Sequence, residues 1–388
     1  MEWEERPPLA DAAAALTSPP LFSELRDNLA FARSLDVGGA DAVFADPDAI
    51  TVSDTFITGR HTGVTLEPRS ILADFRDETL TVWMSHQAPQ MMTEIFAQHF
   101  ALAETQVRVI CRDVGGSFGG KVHTYPDEMA AVACALLLRR PVSFLAYWLE
   151  SFLTDIHARD HVVEARLAVH PDGTLRALEI DDLTGIGPYS VYPRTSAVEG
   201  NQVVNLTGSW YRLPAFKARL RVALQTKVPT CQYRGVGHPV AVAVTEGLMD
   251  LAAARLGQDP AEIRRRNLLT AYPHTALSGL RFENLSLLAA FKKLLVLMEY
   301  DRLRAEQAEA RADGKLRGIG LACFVELSNP GPAFYGVGGA PISAQDGCTI
   351  RLDPGGTVTA SISVTKQGQG TEAMIAQVVA HTLSVSLD

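Results

Sequence analysis

The sequence predicts an α+β fold in which mixed short sheets pack against helices. Three observations support this class. Apolar and polar residues alternate over short segments, the pattern of half-buried strands, at 51–57, 80–84 and 107–111. A proline followed by two acidic residues, a helix-start signature, follows them at Pro126. Glycine-rich loops later in the chain lead directly into helical segments.

The first half of the chain begins with a segment of low information. Residues 1–50 are rich in proline, aspartate and alanine, and one short helix is predicted there at 21–35. A second helix is predicted at 90–101. A third begins at Pro126, whose ring suits the first helical turn, and continues through the apolar run 129–138.

The segment 142–230 is predicted to be rich in β-structure, with turns at 170–173 (HPDG) and 185–189 (GIGPY). A helix with one apolar face follows and stops at Gly257. The Asp-Pro pair at 259–260 then predicts the capped start of another helix.

Two further helices are predicted within 283–313, the second strongly charged, and we place a domain boundary there. A hairpin is predicted at 349–364 around the turn DPGG. A third glycine-rich loop, at 366–370, then leads into the last predicted helix.

Composition excludes several classes of function. With 388 residues, 47% of them hydrophobic, the chain can form two or three globular domains. The net charge is −9 and no run of five basic residues occurs, so no nucleic-acid partner is predicted. The N-terminus is acidic, and the longest apolar run, 129–138, is too short to span a bilayer, so neither an export signal nor a membrane span is predicted. Five dispersed cysteines without a CxxC pair suit a reducing cytoplasm.

The segment GGSFGGKV, at 115–122, has the glycine and lysine spacing of a nucleotide-phosphate loop. Such a loop requires Ser or Thr at its last position to hold magnesium, and Val122 stands there. The next helix begins only at Pro126, about five residues later than a phosphate loop would place it. Both departures disfavour an NTPase.

Three glycine-rich loops are therefore left to explain, at 113–121, 231–239 and 366–370. Glycine lets the backbone approach a ligand closely and lets successive N–H groups converge on an anion. Any one such loop is most often only a tight connection between elements. Together they predict one large, polar, anionic ligand.

Ten short motifs occur in a fixed order through most of the chain. They are LEPRS (66–70), SHQAPQ (85–90), DVGGSFGGK (113–121), YPDE (125–128), RRPVSF (139–144), HARDH (157–161), YSVYPR (189–194), QYRGVGHP (232–239), DPAEIRRRNLL (259–269) and GQGTEAMIAQ (368–377). Their order and spacing resemble the molybdenum-cofactor-binding large subunits of the xanthine oxidase and aldehyde oxidoreductase family. The resemblance implies the α+β architecture of that family's cofactor-binding domains.

The resemblance also implies a molybdopterin cofactor, as the cytosine dinucleotide, which holds molybdenum through its pterin, so that no side chain ligates the metal directly. It implies that Gln87 reaches a molybdenum oxo group, that Phe118 lies at the substrate face of the metal, and that Arg234 lies near the same centre. These three are the candidate catalytic residues. The implied cofactor-binding residues are Gln87, Gly116, Phe118, Gly119, Gly120, Arg234, Gln367, Gly368, Gln369 and Gly370. Amide donors, glycine N–H groups and a guanidinium suit such a ligand chemically.

Each assignment has a simpler alternative. Gln87 is also explained as an ordinary polar residue at a strand end, and Arg234 as the partner of a carboxylate at a domain contact. Lys121 is expected to be a solvated or cofactor-edge charge rather than a catalytic amine. Three histidines adjoin the motifs without metal-site spacing and are expected not to be ligands: His86, His123 and His238.

Within the family, the resemblance implies hydroxylation of a small-molecule substrate, an aldehyde or an N-heteroaromatic ring, with water as the oxygen source. Electrons would pass to separate subunits that carry [2Fe-2S] clusters and FAD. A carbon monoxide dehydrogenase-like subunit is an alternative, but its copper-bearing cysteine would follow the Tyr-Arg pair. Gly235 and Val236 stand there, and Cys231 precedes the pair.

The resemblance divides the chain into three parts. Residues 1–30 resemble the end of a preceding N-terminal domain and a linker, 31–282 a first molybdenum-cofactor-binding domain, and 283–388 the truncated start of a second. No carboxylate matches the family's general-base glutamate. The resemblance thus implies a further polypeptide that supplies the missing C-terminal segment or, as an alternative, a catalytically inactive remnant.

Overall fold

The structure is a computed structural model that describes residues 4–326 and 346–387. It confirms the predicted α+β class, because mixed sheets of short strands pack against helices. The strands are β1 Leu29–Val37, β2 Ile50–Thr58, β3 Ser70–Arg76, β4 Thr79–Met84, β5 Val107–Ile110, β6 Val142–Leu145, β7 His161–Val169, β8 Leu175–Gly185, β9 Ala215–Ala223, β10 His274–Thr275, β11 Arg281–Phe282, β12 Cys348–Leu352 and β13 Val358–Ile362.

The helices vary from one turn to five. They are α1 Ala12–Thr17, α2 Ala40–Phe44, α3 Pro89–His99, α4 Pro126–Leu138, α5 Trp148–Thr154, α6 Val198–Leu206, α7 His238–Leu256, α8 Pro260–Asn267, α9 Leu287–Leu297, α10 Tyr300–Ala312 and α11 Thr371–Leu383. Within the described ranges, no helix combines the length and the apolar character needed to cross a membrane.

The larger sheet has the strand order β1-β9-β8-β7-β2, with β8 and β9 parallel and the other neighbours antiparallel. Side chains alternate along each strand, so β9 buries Phe216 and Leu220 and turns Arg219 away from the core. Helices α6 and α7 cover the buried face, where Val244 and Leu248 join the main hydrophobic core. This sheet and α7 form the scaffold below the second glycine-rich loop.

The smaller sheet, β5-β4-β3-β6, pairs β4 and β5 in parallel and the other neighbours in an antiparallel manner. Helix α3 connects β4 to β5, and α3 and α4 bury Phe96 and Val132 against the sheet. Because β4 and β5 are parallel, their carboxyl ends lie at one edge of the sheet, where ligand sites of α/β folds commonly form. The segments 85–87 and 111–121 leave from that edge.

The helix predicted at 21–35 is wrong, because residues 29–37 form strand β1 and the short helix of this region is α1. The strand pairs with β9 along its length, and Phe31 and Leu35 pack against the main core. They are four residues apart, a spacing that fits a helix as well as a strand, so the sequence did not decide between the two. Pairing with β9, which is about 190 residues away in the chain, overrides the local helical preference.

Most of the other predicted elements are confirmed. Helix α3 matches the prediction at 90–101, α4 begins at Pro126, and the Asp259 carboxylate accepts a hydrogen bond from the Ala261 amide at the start of α8. The two helices within 283–313, the hairpin β12–β13 and the final helix α11 also occur as predicted. The predicted β-rich segment 142–230 contains β6 to β9 but also includes α5 and α6.

A buried ion pair joins α7 to α8. Arg264 is completely buried, and its Nε lies 2.7 Å from Oε2 of Glu246. The indole of Trp210 and the hydroxyl of Tyr211 donate to the other carboxylate oxygen, at 3.2 and 2.8 Å. The Cys323 amide donates to Oε2 at 3.0 Å. Glu246 thus connects four separate segments.

We expect Glu246→Ala to lower the free energy of unfolding by about 3–5 kcal/mol, because it removes the buried carboxylate that faces Arg264 and leaves only the half-exposed Asp250 to pair with that charge. Urea unfolding monitored by circular dichroism would measure the change. The matched control is Glu262→Ala, which removes the exposed partner of Arg265 and should leave the transition where it is. Equal shifts in the two variants would contradict the buried ion pair's importance.

Candidate functional site

The glycine-rich loop at 113–121 leaves the end of β5 and runs beside the end of β4. Gly116, Phe118 and Gly119 have left-handed backbone angles, with φ of 92°, 50° and 99°. A Cβ on Gly119 would lie 2.6 Å from the carbonyl oxygen of Gln232 and 3.2 Å from Cα of Tyr233. Only glycine therefore permits the loop at 231–239 to approach so closely.

The three candidate catalytic residues meet at this approach. The backbone N–H of Gly119 donates to the side-chain Oε1 of Gln87 at 3.2 Å. The backbone N–H of Gln87 donates to the carbonyl of Lys121 at 3.0 Å. The Arg234 amide donates to the carbonyl of Phe118 at 2.9 Å. Gln87, Phe118 and Arg234 come from three segments that are distant in sequence, and backbone hydrogen bonds bring them together.

The side chains at this meeting point differ in what they leave available. With its oxygen bound to Gly119, the Gln87 amide group retains its NH₂ donors. The Phe118 ring is 42% exposed, and Arg234 is exposed. Among the described residues, no carboxylate forms an ion pair with Arg234, so the alternative of a domain-contact ion pair has no support from residues 4–326 or 346–387.

Glu67 holds the glycine-rich loop from below. One of its oxygens, Oε2, accepts from Lys121 Nζ at 2.9 Å, from the Ser85 hydroxyl at 2.7 Å and from the Gly115 amide at 2.6 Å. Burial raises the pKa of Glu67, but these three donors lower it further than burial raises it. The carboxylate is therefore charged and ties three segments together.

The expectation of a solvated Lys121 is wrong. Its side chain is only 2% exposed and forms the ion pair with Glu67. Burial lowers the pKa of Lys121, and the neighbouring Glu67 opposes that effect. The sequence places the lysine next to the glycines, but only the fold reveals that its charge is directed inward.

The end of the loop rests on a buried aromatic ring. The Gly120 amide donates to the Ser117 carbonyl at 2.8 Å, and the Tyr125 hydroxyl donates to the Gly120 carbonyl at 2.7 Å. The guanidinium of Arg69 lies 3.7 Å from the centroid of the Tyr125 ring. Arg69 also pairs with Asp127 at the start of α4. These contacts couple the loop exit to the helix behind it.

The loop at 366–370 lies against the first one. The side chains of Ser117 and Gln367 are hydrogen-bonded, and the Val114 amide donates to the Lys366 carbonyl at 3.3 Å. Gln369 folds back on its own loop, where Oε1 accepts from the Gln367 amide at 2.6 Å. Gly368, Gln369 and Gly370 are exposed and lead into α11. Gln367 is thus the member of this set whose side chain contacts the first loop, at Ser117 between the candidates Gly116 and Phe118.

Buried charges support the loop that carries Arg234. Arg159 is 2% exposed, its guanidinium is hydrogen-bonded to Glu199, and its Nη2 donates to the Arg234 carbonyl at 3.0 Å. Glu199 also accepts from the Gly237 amide at 3.3 Å. His161 lies 3.0 Å from both oxygens of Asp182 and 3.9 Å from Glu199.

The three histidines near the motifs differ from His161. Burial lowers the pKa of His86 to about 4 and that of His123 to about 3, so both rings are neutral. His238 occupies the first turn of α7, where its Nδ1 lies 3.0 Å from the Val236 carbonyl. In the part of the chain that the structure describes, no cluster of three or more His, Cys, Asp or Glu side chains could hold a metal ion.

The geometry suits a large anionic group with a flat portion. The left-handed glycines Gly368 and Gly370 are exposed, the N-terminus of α11 adds a favourable dipole, and Arg234 adds an exposed positive charge. The exposed Phe118 ring offers a flat apolar contact. A molybdopterin held through such contacts requires no side-chain ligand to its metal, which agrees with the donor set present.

Residue-level assignment from sequence missed the supporting residues Glu67, Tyr125, Arg159 and Glu199. The first three occur in the motifs LEPRS, YPDE and HARDH, so the signal was present in the motifs. No spacing rule links a carboxylate at one position to a lysine more than fifty residues later. Glu199 is outside all of the motifs and had no signal.

We expect Gly119→Ala to lower the free energy of unfolding by about 1–3 kcal/mol, because a side chain is strained at this backbone angle and collides with the Gln232 carbonyl. Gly120→Ala is the control, since a Cβ there meets no atom within 4 Å. Denaturant unfolding of both variants measures the difference. A stability for Gly119→Ala equal to that of Gly120→Ala would contradict the close approach of the loops.

The charge network predicts a particular pH dependence. Burial lowers the pKa of His161, but Asp182 and then Glu199 raise it to about 10. Burial raises the pKa of Glu199, but His161 and Arg159 lower it to about 2. The stabilisation of the folded state by charged His161 is therefore complete below the unfolded pKa of about 6.5, and it is lost as the pH rises towards 10.

Asp182→Asn should accordingly destabilise the protein most at pH 6, and the difference from wild type should shrink as the pH approaches 10. The slope of that difference should reach about 1.4 kcal/mol per pH unit at most, the value for one proton. Urea unfolding at several pH values measures it. The control Asp172→Asn, on an exposed turn, should show no such trend. A difference that stays constant with pH would contradict a charged His161.

Comparison with known proteins identifies the family of the chain. Residues 21–268 match the family profile described as a molybdopterin cofactor-binding domain, and residues 293–388 match a second profile of the same description. The large subunit of nicotine 6-hydroxylase from Paenarthrobacter nicotinovorans is 30% identical over 393 residues, which are 100% of this chain and 48% of that one. The chain thus spans about half the length of the curated relatives it matches.

Solved structures show the same similarity. Quinoline 2-oxidoreductase from Pseudomonas putida 86 superposes with a TM-score of 0.92 and 32% identity, covering 98% of this chain and 49% of that one. A Cu,Mo-CO dehydrogenase superposes with a TM-score of 0.90 and 27% identity, covering 100% and 52%. With both family profiles matched along the chain, and with the motif loops converging in space, the chain belongs to the molybdopterin-binding large subunits of the xanthine oxidase family.

Proposed function

We propose that this chain is the cofactor-binding part of a molybdenum hydroxylase and that a molybdopterin, in its cytosine dinucleotide form, lies where the loops at 113–121, 231–239 and 366–370 converge. The observation that carries the proposal is the close approach of the loops at Gly119, where the Gly119 amide binds the Gln87 side chain and the Arg234 amide binds the Phe118 carbonyl. Three unrelated tight turns would have no reason to meet at one point.

The proposed roles follow from the available groups. The Gln87 NH₂ donates to an oxygen of the cofactor's metal centre, and Arg234 stabilises negative charge that develops on the substrate. The glycines of 116–120 would let the backbone approach the pterin closely, and the exposed loop 368–370 at the N-terminus of α11 would hold its pyrophosphate. When bound, the molybdenum cofactor supplies the two-electron oxidation of the substrate carbon. The chain's own residues bind and orient the reactants.

We propose an N-heteroaromatic ring as the substrate class and an aldehyde as the alternative within the same reaction. Two of the relatives described above, nicotine 6-hydroxylase and quinoline 2-oxidoreductase, have names that refer to nitrogen-containing rings. The exposed Phe118 ring gives a flat apolar surface for such a substrate, and Arg234 gives a positive group for charge that develops beside it.

A copper-dependent carbon monoxide dehydrogenase is less favoured. The residues after Arg234 are Gly235 and Val236, neither of which can bind copper through a side chain. Cys231 is completely buried, and burial raises the pKa of its thiol to about 12, so it is a poor thiolate ligand. Its Sγ lies 3.5 Å from the Thr195 carbonyl instead.

The general base is proposed to come from another polypeptide. Two buried or half-buried carboxylates below the loops are occupied, since Glu67 binds Lys121 and Glu199 binds Arg159. We propose that the chain forms domains at 31–282 and 283–388 after a linker at 1–30. It would assemble with that polypeptide and with iron–sulfur and FAD subunits. The free cysteines suit a cytoplasmic complex.

Co-expression with the neighbouring genes, followed by purification, tests the proposal directly. We expect about one molybdenum per chain by mass spectrometry and a cytosine nucleotide after acid release of the pterin, which are the properties of the family cofactor. A complex purified without molybdenum and without pterin from a molybdate-supplied host would exclude the proposed function. Reduction of an artificial electron acceptor by quinoline-type, pyridine-type and aldehyde substrates then identifies the substrate class.

Arg234→Met should leave the molybdenum content unchanged and lower kcat/KM by about 10²–10³, as expected when a group that stabilises developing charge is removed. Arg255→Met is the control, because Arg255 is exposed at the end of α7, away from the loops. Steady-state kinetics with the accepted substrate measure both variants. Equal activity of the Arg234 and Arg255 variants would contradict the proposed role.

An inactive remnant is the second candidate, and the occupied state of Glu67 and Glu199 favours it. In that case the purified complex would bind the cofactor but reduce no acceptor with any substrate of either class. Restored turnover on addition of a polypeptide that carries a base would exclude the remnant. The two candidates thus differ in turnover, whereas both require the cofactor.

A further inference from the structure

Arg159 and Asp160 have an unusual backbone for residues other than glycine. Their φ angles are 71° and 81°, in the left-handed region. Residues other than glycine are strained there, and strain of this kind is typical of functional sites. Such a conformation persists only where surrounding contacts impose it. Asp160 is held by Arg60 at 2.7 Å and by Lys227 at 3.2 Å. The left-handed turn places the Arg159 side chain beneath the second glycine-rich loop.

The Arg159 guanidinium has two separate attachments. One arm is hydrogen-bonded to Glu199, while Nη2 donates to the Arg234 carbonyl at 3.0 Å. The central guanidinium carbon, Cζ, lies 5.4 Å from the centroid of the Tyr233 ring. The planar guanidinium can serve both attachments at once, whereas a single ammonium cannot do so in the same geometry. Arg159 therefore binds the main chain at the Arg234 carbonyl and lies against the side chain of the preceding residue, Tyr233.

Glu199 extends the attachment to the far end of the loop. Its carboxylate accepts from the Arg159 amide at 2.8 Å and from the Gly237 amide at 3.3 Å. A Cβ on Gly237 would lie 2.9 Å from the Glu199 carbonyl, so the contact is close. The segment from Tyr233 to Gly237 is thus held at both ends by one buried ion pair.

The rest of the network keeps that ion pair in place. His161 lies between Asp182 and Glu199 and is completely buried with them. Two positive and two negative groups balance one another, so Arg159 remains charged without contact with water. Neither Arg159 nor Glu199 faces the loop at 113–121, which is held separately by Glu67.

We propose that Arg159 is a positioning residue that, with Glu199, sets the direction of the Arg234 side chain towards the reacting group. The catalytic consequence of this inference rests on the proposed function. The attachment of Arg159 to the Arg234 carbonyl does not depend on it. Arg159 touches no candidate ligand position, and it acts through the Arg234 carbonyl. On this assignment, the network determines where the exposed guanidinium of Arg234 points.

Arg159→Lys tests the proposal in the assembled complex. Lysine retains a cation for Glu199 but loses the second arm to the Arg234 carbonyl. Hydrogen exchange followed by mass spectrometry should show at least a tenfold faster exchange in the peptide 232–238 and less than a twofold change in the peptide 114–121. Arg176→Lys is the matched control, because Arg176 is a half-buried arginine that pairs with Asp46 and takes no part in this network. It should leave both peptides within twofold of wild type.

Turnover supplies the readout that a purely structural role would not change. We expect Arg159→Lys to lower kcat about tenfold in the wild-type background and to have no further effect in the Arg234→Met background. The proposal would be overturned if Arg159→Lys lowered kcat by the same factor in both backgrounds. Faster exchange throughout the chain, or unchanged exchange in 232–238, would also overturn it. If Arg159→Lys does not fold, Glu199→Asp replaces it, since the shorter carboxylate draws Arg159 away, and the same local change is expected.

The outcomes separate this inference from the proposed function. A complex without molybdenum would exclude the function, while local exchange in 232–238 would still decide whether Arg159 holds the loop. A complex with molybdenum and turnover, in which the Arg159 and Arg234 effects multiply, would retain the function and exclude the positioning role.

Discussion

One carboxylate oxygen supports much of the candidate site. Oε2 of Glu67 accepts from Lys121, from Ser85 and from the Gly115 amide, all within 2.9 Å. Ser85 precedes Gln87 by two residues, and Gly115 and Lys121 lie at the two ends of the loop that carries Phe118. Because three donors share one acceptor, a shift of Glu67 would move both segments. The relative positions of Gln87 and Phe118 depend on this contact.

The second support is electrostatic and lies deeper. Two positive and two negative side chains are buried together beside the larger sheet: Arg159, His161, Asp182 and Glu199. Such groups are costly to bury singly, but together they compensate one another and leave one donor of Arg159 for the Arg234 carbonyl. Glycine allows the loops many backbone conformations, but the charged residues below the loops hold them in one arrangement.

Local signals were sufficient for most of the secondary structure. Pro126 began α4, Asp259 capped α8, and the glycine-rich loop at 366–370 led into α11, because caps and turns depend on residues that are neighbours in sequence. The error at 21–35 arose where a distant partner decided the outcome. Strand β1 exists because β9 lies beside it, and no residue near it in the sequence indicates that pairing.

By itself, the sequence determined the α+β class, the motif order that places the chain in its family, and the identity of the candidate residues Gln87, Phe118 and Arg234. Those features depend on residue type and spacing, which the chain carries in one dimension. Only the tertiary structure decided that Lys121 points inward to Glu67 and that Arg159 holds Arg234. Burial and ion pairing join residues that are tens of positions apart, so their effect on a charge cannot be read until the segments have packed together.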